Sequence, residues 1–246
     1  MTTANTRSKL PFRQSLLPLP DPPPRHPDEM TTVDQLHEPG LTHSLSQFLG
    51  NPDSTLVTGE RYIIREPGAP ATERRAPDLL IAFGVDPVAY RRRNGYVIAE
   101  QGKPPDFVLE VASPSTADTD VGAKRNDYEG FRIQEYWRFD ETGEYHGTRL
   151  AGDRLVGGRY EPIDIAELSG GALQGYSAVL NLYLRWENGK IGLYDPATGK
   201  HIPTYESERA ARLQAEAQVE REREARMLAE ARVRELESEL RRRDNQ

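Results

Sequence analysis

DFVLEVASPS, residues 106–115, has the composition of a buried strand, yet it sets an acid, Glu110, in the middle of its apolar run. Side chains alternate along a strand, so Glu110 shares a face with Val108 and Ala112, while Phe107, Leu109 and Val111 point the other way. The bulkier side belongs to the core. Glu110 then lies on the thinner face, beside the small Ala112. A buried carboxylate is costly unless it is protonated, partnered or bound to a cation. The strand therefore predicts a partner for Glu110.

Working outward, STADTDVGAKRNDYEGF (residues 115–131) reads as a helix. Thr116, Asp118 and Thr119 are candidate caps, and Val121, Lys124, Tyr128 and Phe131 share one face at helical spacing. Lys124 falls inside the stripe that packs on the sheet, as out of place there as Glu110 is in the strand. A buried salt bridge or a snorkelling lysine stem accounts for the pair without any function. Upstream, in APDLLIAFG (residues 76–84), Asp78 opens a strand on the side of Leu80 and Ala82. Two carboxylates near a lysine suit phosphodiester hydrolysis. Magnesium is held by one or two carboxylates, and an ammonium orients water or offsets charge in the transition state.

The rest of the chain divides into three parts. Residues 1–29 are proline-rich and predict a disordered tail with no unbroken apolar segment of a secretory signal. Residues 30–203 carry a helix near Leu41–Phe48 and short β-type runs punctuated by Gly and Pro. The fold class is α/β (α+β): a mixed sheet flanked by helices, followed by a long C-terminal helix. Gly143, Gly152, Gly157 with Gly158, and Gly189 mark expected hairpin turns. Residues 204–246 are rich in Glu, Arg, Ala and Leu without Gly or Pro, and predict a charged helix. Ala229, Val233, Leu236 and Leu240 form a heptad seam, closed by Arg241, Arg242 and Arg243. A coiled coil through residues 206–246, and with it a homo-oligomer, stands against a solvated single helix.

Composition excludes several classes. The 246 residues hold no cysteine, which removes disulfides and thiolate chemistry and suits a cytoplasmic setting. His26, His37, His43, His146 and His201 are scattered, without the spacing of a zinc pair. No run approaches the roughly 20 apolar residues of a membrane span. A formal charge of −7 argues against indiscriminate coating of nucleic acid. Arg91, Arg92 and Arg93, ahead of Asn94-Gly95, read as a basic hairpin tip and a candidate DNA-backbone contact, with solvation as the plainer account. Tyr136 and Trp137 are core aromatics before they are base-stacking ones. Ser113 and Ser115 suit a turn, since no glycine-flanked nucleophile elbow surrounds them.

With these residues in view, the chain resembles the PD-(D/E)XK nuclease superfamily, and within it the Uma-type restriction endonucleases. Pro77-Asp78 and Glu110 match the superfamily pattern, whose strand lysine is replaced here by Ala112. The Uma-type order is closer over roughly residues 53–205: Pro77-Asp78, Gly102-Lys103-Pro104-Pro105, Glu110-Val111-Ala112-Ser113-Pro114-Ser115, Lys124, and Glu135-Tyr136-Trp137. The resemblance implies a restriction-endonuclease-like fold and a metal-dependent endonuclease acting on DNA with Mg²⁺ or Mn²⁺. Asp78 and Glu110 would be the metal ligands and Lys124 the catalytic lysine, moved to a helix. Glu60, in TLVTGERYIIR (residues 55–65), is the candidate additional acid. A fold does not guarantee turnover. A silent scaffold that recruits a partner through its C-terminal helix is the competing expectation.

Overall fold

The computed structural model describes residues 17–23 and 40–244, which fall into two compact units, residues 1–202 and 203–246. In the first unit, α1 (Leu41–Leu49) leads to β1 (Thr55–Thr58), β2 (Ile63–Ile64) and β3 (Leu79–Phe83). Then come α2 (Pro87–Arg93), β4 (Tyr96–Val97), the one-turn α3 (Ile98–Gln101) and β5 (Phe107–Val111). After β5 the chain winds continuously through α4 (Ala117–Thr119), a π-helical turn at Asp120–Lys124 and α5 (Arg125–Phe131). The strands β6 (Glu135–Phe139), β7 (Leu150–Val156) and β8 (Arg159–Pro162) follow.

These strands make a six-stranded sheet in the order β1-β3-β5-β6-β7-β8, with β5 and β6 parallel and the other neighbours antiparallel. The parallel pair needs a crossover, and the helical segment after β5 supplies it. A second, antiparallel sheet forms from β9 (Ile165–Glu167), β10 (Leu173–Ser177), β11 (Leu182–Glu187), β12 (Lys190–Asp195) and β13 (Lys200–His201). The mixed α+β architecture is the expected one, and the second sheet adds to it. Helices cover one face of the main sheet, and the second sheet joins α1 on the other.

The alternation read from β5 holds. Phe107, Leu109 and Val111 enter a core with Leu79, Ile81, Trp137, Leu45 of α1, and Leu182, Leu184 and Leu193 of the second sheet. Val108 belongs to the opposite core, with Leu80, Ala82, Tyr136, and Tyr128 and Phe131 of α5. Glu110 therefore points into a packed layer, not onto a thin open face, and is 1 % exposed. Trp137 fills the space between the sheets. A Cβ on Gly152 of β7 would stand 2.9 Å from its ring, and one on Gly175 of β10 would stand 2.8 Å from it. Gly152 is thus a strand glycine that admits an indole, and not the turn glycine expected. Gly157-Gly158 and Asn188-Gly189 do make left-handed turns, between β7 and β8 and between β11 and β12.

The expected proline-rich tail lies mostly outside the described residues. Within it, residues 17–23 run along the domain. The Leu19 amide donates to the Arg93 carbonyl at 2.7 Å, and Asn94 Nδ2 donates to Leu19 O at 3.1 Å and to Asp21 Oδ1 at 2.8 Å. The second unit is one helix, α6 (Tyr205–Asp244), with every described side chain in it exposed or nearly so. The pairs Arg212–Glu216 and Arg226–Glu230, at 3.0 and 2.9 Å, support it along one flank. Of the expected seam, Val233 and Leu236 are exposed, while the side chains of Leu240 and Arg243 lie outside the described residues. Among the described residues no helix is long and apolar enough to cross a membrane.

Candidate functional site

Glu110 finds its partners on the helical segment that follows its own strand. Oε2 lies 3.0 Å from Lys124 Nζ, and Oε1 accepts the Tyr128 hydroxyl at 2.5 Å. Lys124 and Tyr128 are four residues apart, so they reach the same strand position from successive turns. Burial pushes the Glu110 carboxyl above its ordinary range, and Lys124 and the tyrosine only partly offset that push. Burial opposes the Lys124 charge as well, but Glu110 and Asp120 outweigh it and raise the ammonium above its ordinary value.

Asp120 is the residue that periodicity missed. A regular helix puts Val121 on the packing face, yet Val121 is 40 % exposed and Asp120 is fully buried. The π-helical turn explains the exposure of Val121, because its wider winding turns Val121 away from the sheet, while Asp120, four residues before Lys124, stays on the lysine's side. Asp120 Oδ1 lies 2.7 Å from Lys124 Nζ, and Oδ2 takes the Thr116 hydroxyl at 2.9 Å and His146 Nε2 at 3.1 Å. The Tyr136 hydroxyl caps the Asp120 carbonyl at 2.9 Å. Burial alone would raise the Asp120 carboxyl, but His146 and Lys124 hold it below its ordinary range. His146, scattered in the sequence, arrives on the loop between β6 and β7, where Asp140 gathers the amides of Gly143, Tyr145 and His146 at 2.8 Å each.

Asp78 sits one residue before β3. Leu79 pairs with Leu109 and Leu80 with Val108, so the register continued one residue sets Asp78 opposite Glu110. There the Pro77 carbonyl turns away to accept the Glu60 amide at 2.9 Å, and the Asp78 carboxylate accepts the Val111 amide at 2.6 Å. Asp78 is 1 % exposed. On the other side of β5, Arg138 is the register partner of Glu110, and its guanidinium donates to Asp153 Oδ2 at 3.0 Å. Asp153 also takes Arg125, at 2.8 Å.

The remaining expected residues divide. Arg91, Arg92 and Arg93 are not a hairpin tip but the last turn of α2, because Asp86 caps the helix through the Val88 and Ala89 amides and Pro87 starts it. Arg91 and Arg92 are exposed, whereas Arg93 is 9 % exposed and is ion-paired with Glu100, so it does not face outward as a DNA contact. Glu60 lies in a left-handed turn after β1 rather than in a strand, with φ of 52°. It lines an open cleft of about 420 Å³ together with Thr58, Gly59, Arg61, Tyr90, Arg91 and Asn94, none of which belongs to the Glu110 cluster. Tyr136 and Trp137 are fully buried. Ser113 is buried in a turn with its hydroxyl on Thr116 at 2.9 Å.

Oxygen donors dominate the cluster, which suits a hard cation completed by water and phosphate. Among the described residues, no group of three or more His, Asp or Glu side chains is arranged to cage a metal. A hard cation of the magnesium type needs only one or two protein carboxylates. Lys124, 17 % exposed at its side chain, links this buried cluster to the surface.

Compared with known proteins, residues 29–186 match the model of the Uma2 family, described as "Putative restriction endonuclease". A solved structure from Anabaena variabilis, titled as a putative nuclease belonging to DUF820, is similar at 12 % identity. The likeness covers 61 % of this chain and 76 % of that one, with a TM-score of 0.37. No curated protein matches the chain.

Proposed function

Since the chain belongs to the Uma2 family of restriction-endonuclease-like proteins, we propose that it is a divalent-metal-dependent nuclease that hydrolyses DNA phosphodiester bonds, with its chemistry at Glu110, Lys124 and Asp78. The observation that carries this reading is the meeting of Glu110 and Lys124 at 3.0 Å, two charges with no place in a strand and a packing face unless they act together. Glu110 of β5 and Asp78, just ahead of β3 and opposite it by register, would hold Mg²⁺ or Mn²⁺. Such an ion, when bound, supplies a water of lowered pKa and polarises the phosphate. Lys124, whose side chain is 17 % exposed, would bring its ammonium to the site from the helix. There it orients the attacking water or offsets charge on the phosphate oxygens. Arg91 and Arg92 remain the candidate contacts to a DNA backbone, and Glu60 the candidate additional acid. A cytoplasmic setting accords with the lack of cysteine.

Glu110→Gln and Lys124→Met keep side-chain size; the first leaves Lys124 paired with Asp120, and the second leaves Glu110 on the Tyr128 hydroxyl and Asp120 on Thr116 and His146. Each is expected to lower Mg²⁺- or Mn²⁺-dependent plasmid cleavage by about 100-fold or more, with near-ultraviolet circular dichroism unchanged. Cleavage by both variants at the wild-type rate would refute the assignment.

One observation favours a second reading, a catalytically silent scaffold. Both oxygens of Glu110 are already engaged, by Lys124 and Tyr128, with 1 % of the residue exposed. In that reading the cluster is a structural ion pair, and the chain works through α6 by self-association or a partner. Calorimetry separates the two: the nuclease reading requires Mn²⁺ binding that Glu110→Gln weakens, and the scaffold reading requires none.

A further inference from the structure

Asp120 has no part in the reading above, although it is as deeply buried as Glu110. Its two oxygens are held from three elements: Lys124 Nζ at 2.7 Å from the π-helical turn, Thr116 Oγ1 at 2.9 Å from the turn before it, and His146 Nε2 at 3.1 Å from the β6–β7 loop. The Tyr136 hydroxyl on the Asp120 carbonyl fixes the backbone as well. The Lys124 ammonium is therefore shared between two carboxylates of unequal freedom. Among the described residues the side-chain hydrogen bond to Glu110 besides the lysine's comes from the Tyr128 hydroxyl, while Asp120 is clamped on both sides.

A cation drawn to Glu110 competes with Lys124 for the same oxygens. Something other than Glu110 must then keep the ammonium in place. We propose that Asp120 is the anchor of Lys124, a positioning residue that retains the ammonium at the site when Glu110 turns to a metal, with His146 and Thr116 holding the anchor itself. The i, i+4 spacing sets Asp120 on the side of Lys124, and the π-helical turn swings Val121 outward beside it. The inference rests on the nuclease reading for what Lys124 does, but not for how it is held.

The test is a double-mutant cycle on the full chain: wild type, Asp120→Asn, Lys124→Gln and the double variant. Two readouts are taken, Mn²⁺ affinity by calorimetry and cleavage of duplex DNA. Asp120→Asn leaves Lys124 to Glu110 alone, so Mn²⁺ affinity is expected to fall about 10-fold. The value of kcat should fall by up to about 100-fold, the scale of a misplaced reacting group, with KM within about 2-fold. In the Lys124→Gln background the same substitution should change either quantity by less than about 2-fold. An equal fall in both backgrounds means that Asp120 acts through its own charge and overturns the anchor. Cleavage and Mn²⁺ affinity untouched by Asp120→Asn overturn it too, and leave the nuclease reading standing. Coupled Mn²⁺ binding without any cleavage supports the anchor and ends the nuclease reading, whereas neither binding nor cleavage by wild type ends both. Should Asp120→Asn fail to fold, His146→Gln replaces it in the cycle. A smaller loss is then expected, again absent when Lys124 is Gln, and a loss independent of Lys124 counts against the anchor.

Discussion

Asp140 illustrates a buried carboxylate that the fold uses to shape a loop. Four backbone amides converge on it, those of Thr142, Gly143, Tyr145 and His146. Burial alone would raise its pKa, but these amides prevail and hold it below the ordinary carboxylate range. A depressed pKa stabilises the fold fully above the unfolded-state value, and that stabilisation is lost as pH falls through the folded value. Asp140→Asn should cost about 2 kcal/mol at neutral pH, read by urea denaturation. The difference from wild type should shrink below about pH 4, where an unfolded aspartate takes up its proton. At this scale the sequence was half legible. Glu110 and Lys124 betrayed themselves as charges inside apolar patterns. Asp120 did not, because an acid near a helix start reads as first-turn chemistry, and His146 did not, because a lone histidine carries no spacing. The signal for Asp120 was its i, i+4 relation to Lys124, but Val121, at i, i+3 from the lysine, is the apolar residue and takes the place on the stripe.

At the scale of elements, the two sheets meet through Trp137 and Glu135. The Glu135 carboxylate, fully buried, accepts the Trp137 indole at 3.0 Å, the Ser177 hydroxyl at 2.5 Å and the amides of Ala178 and Val179 at 2.9 and 3.2 Å. It fastens the β10–β11 connection to the main sheet. Gly175 lets the indole approach. A Cβ there would stand 2.8 Å from Trp137 and 2.5 Å from Ile165. Gly175→Ala is therefore expected to destabilise the domain by about 1–3 kcal/mol, seen as a lower melting temperature. The strands richest in alternation, β5, β6, β11 and β12, were readable, and so was α1. The strand β10 (LQGYS) was not, because a glycine inside a short polar run looks like a turn until the indole that needs it is in place. For the same reason Gly152 read as punctuation, while Arg91, Arg92 and Arg93 ahead of Asn94-Gly95 read as a hairpin tip although Asp86 and Pro87 start a helix before them.

At the scale of the whole molecule, α6 forms a unit of its own. Its described side chains are exposed and it carries i, i+4 ion pairs of its own; removing residues 204–246 is expected to leave the domain's melting temperature within about 2 °C, less than 1 kcal/mol would shift it. Loss of DNA cleavage on that truncation, with the fold intact, would move the helix from appendage to working part. Sedimentation of the two forms tests the coiled-coil expectation directly, since self-association through residues 206–246 must vanish with them. The order of motifs along the chain pointed to the family that residues 29–186 match, while the second sheet emerged only from the packing of the whole.

The widened turn at Asp120–Lys124 carries a last consequence. Gly122 lies within it, and a Cβ there would meet no neighbour within 4 Å, so the residue serves as a spacer and not as packing. Excising Gly122 should tighten the coil to ordinary α pitch while every acid, lysine and histidine stays in the chain. One residue of phase is about 100° of rotation. Such a shortened protein is expected to fold yet be inert toward DNA, an allele in which nothing chemical has been deleted and only the aim is lost.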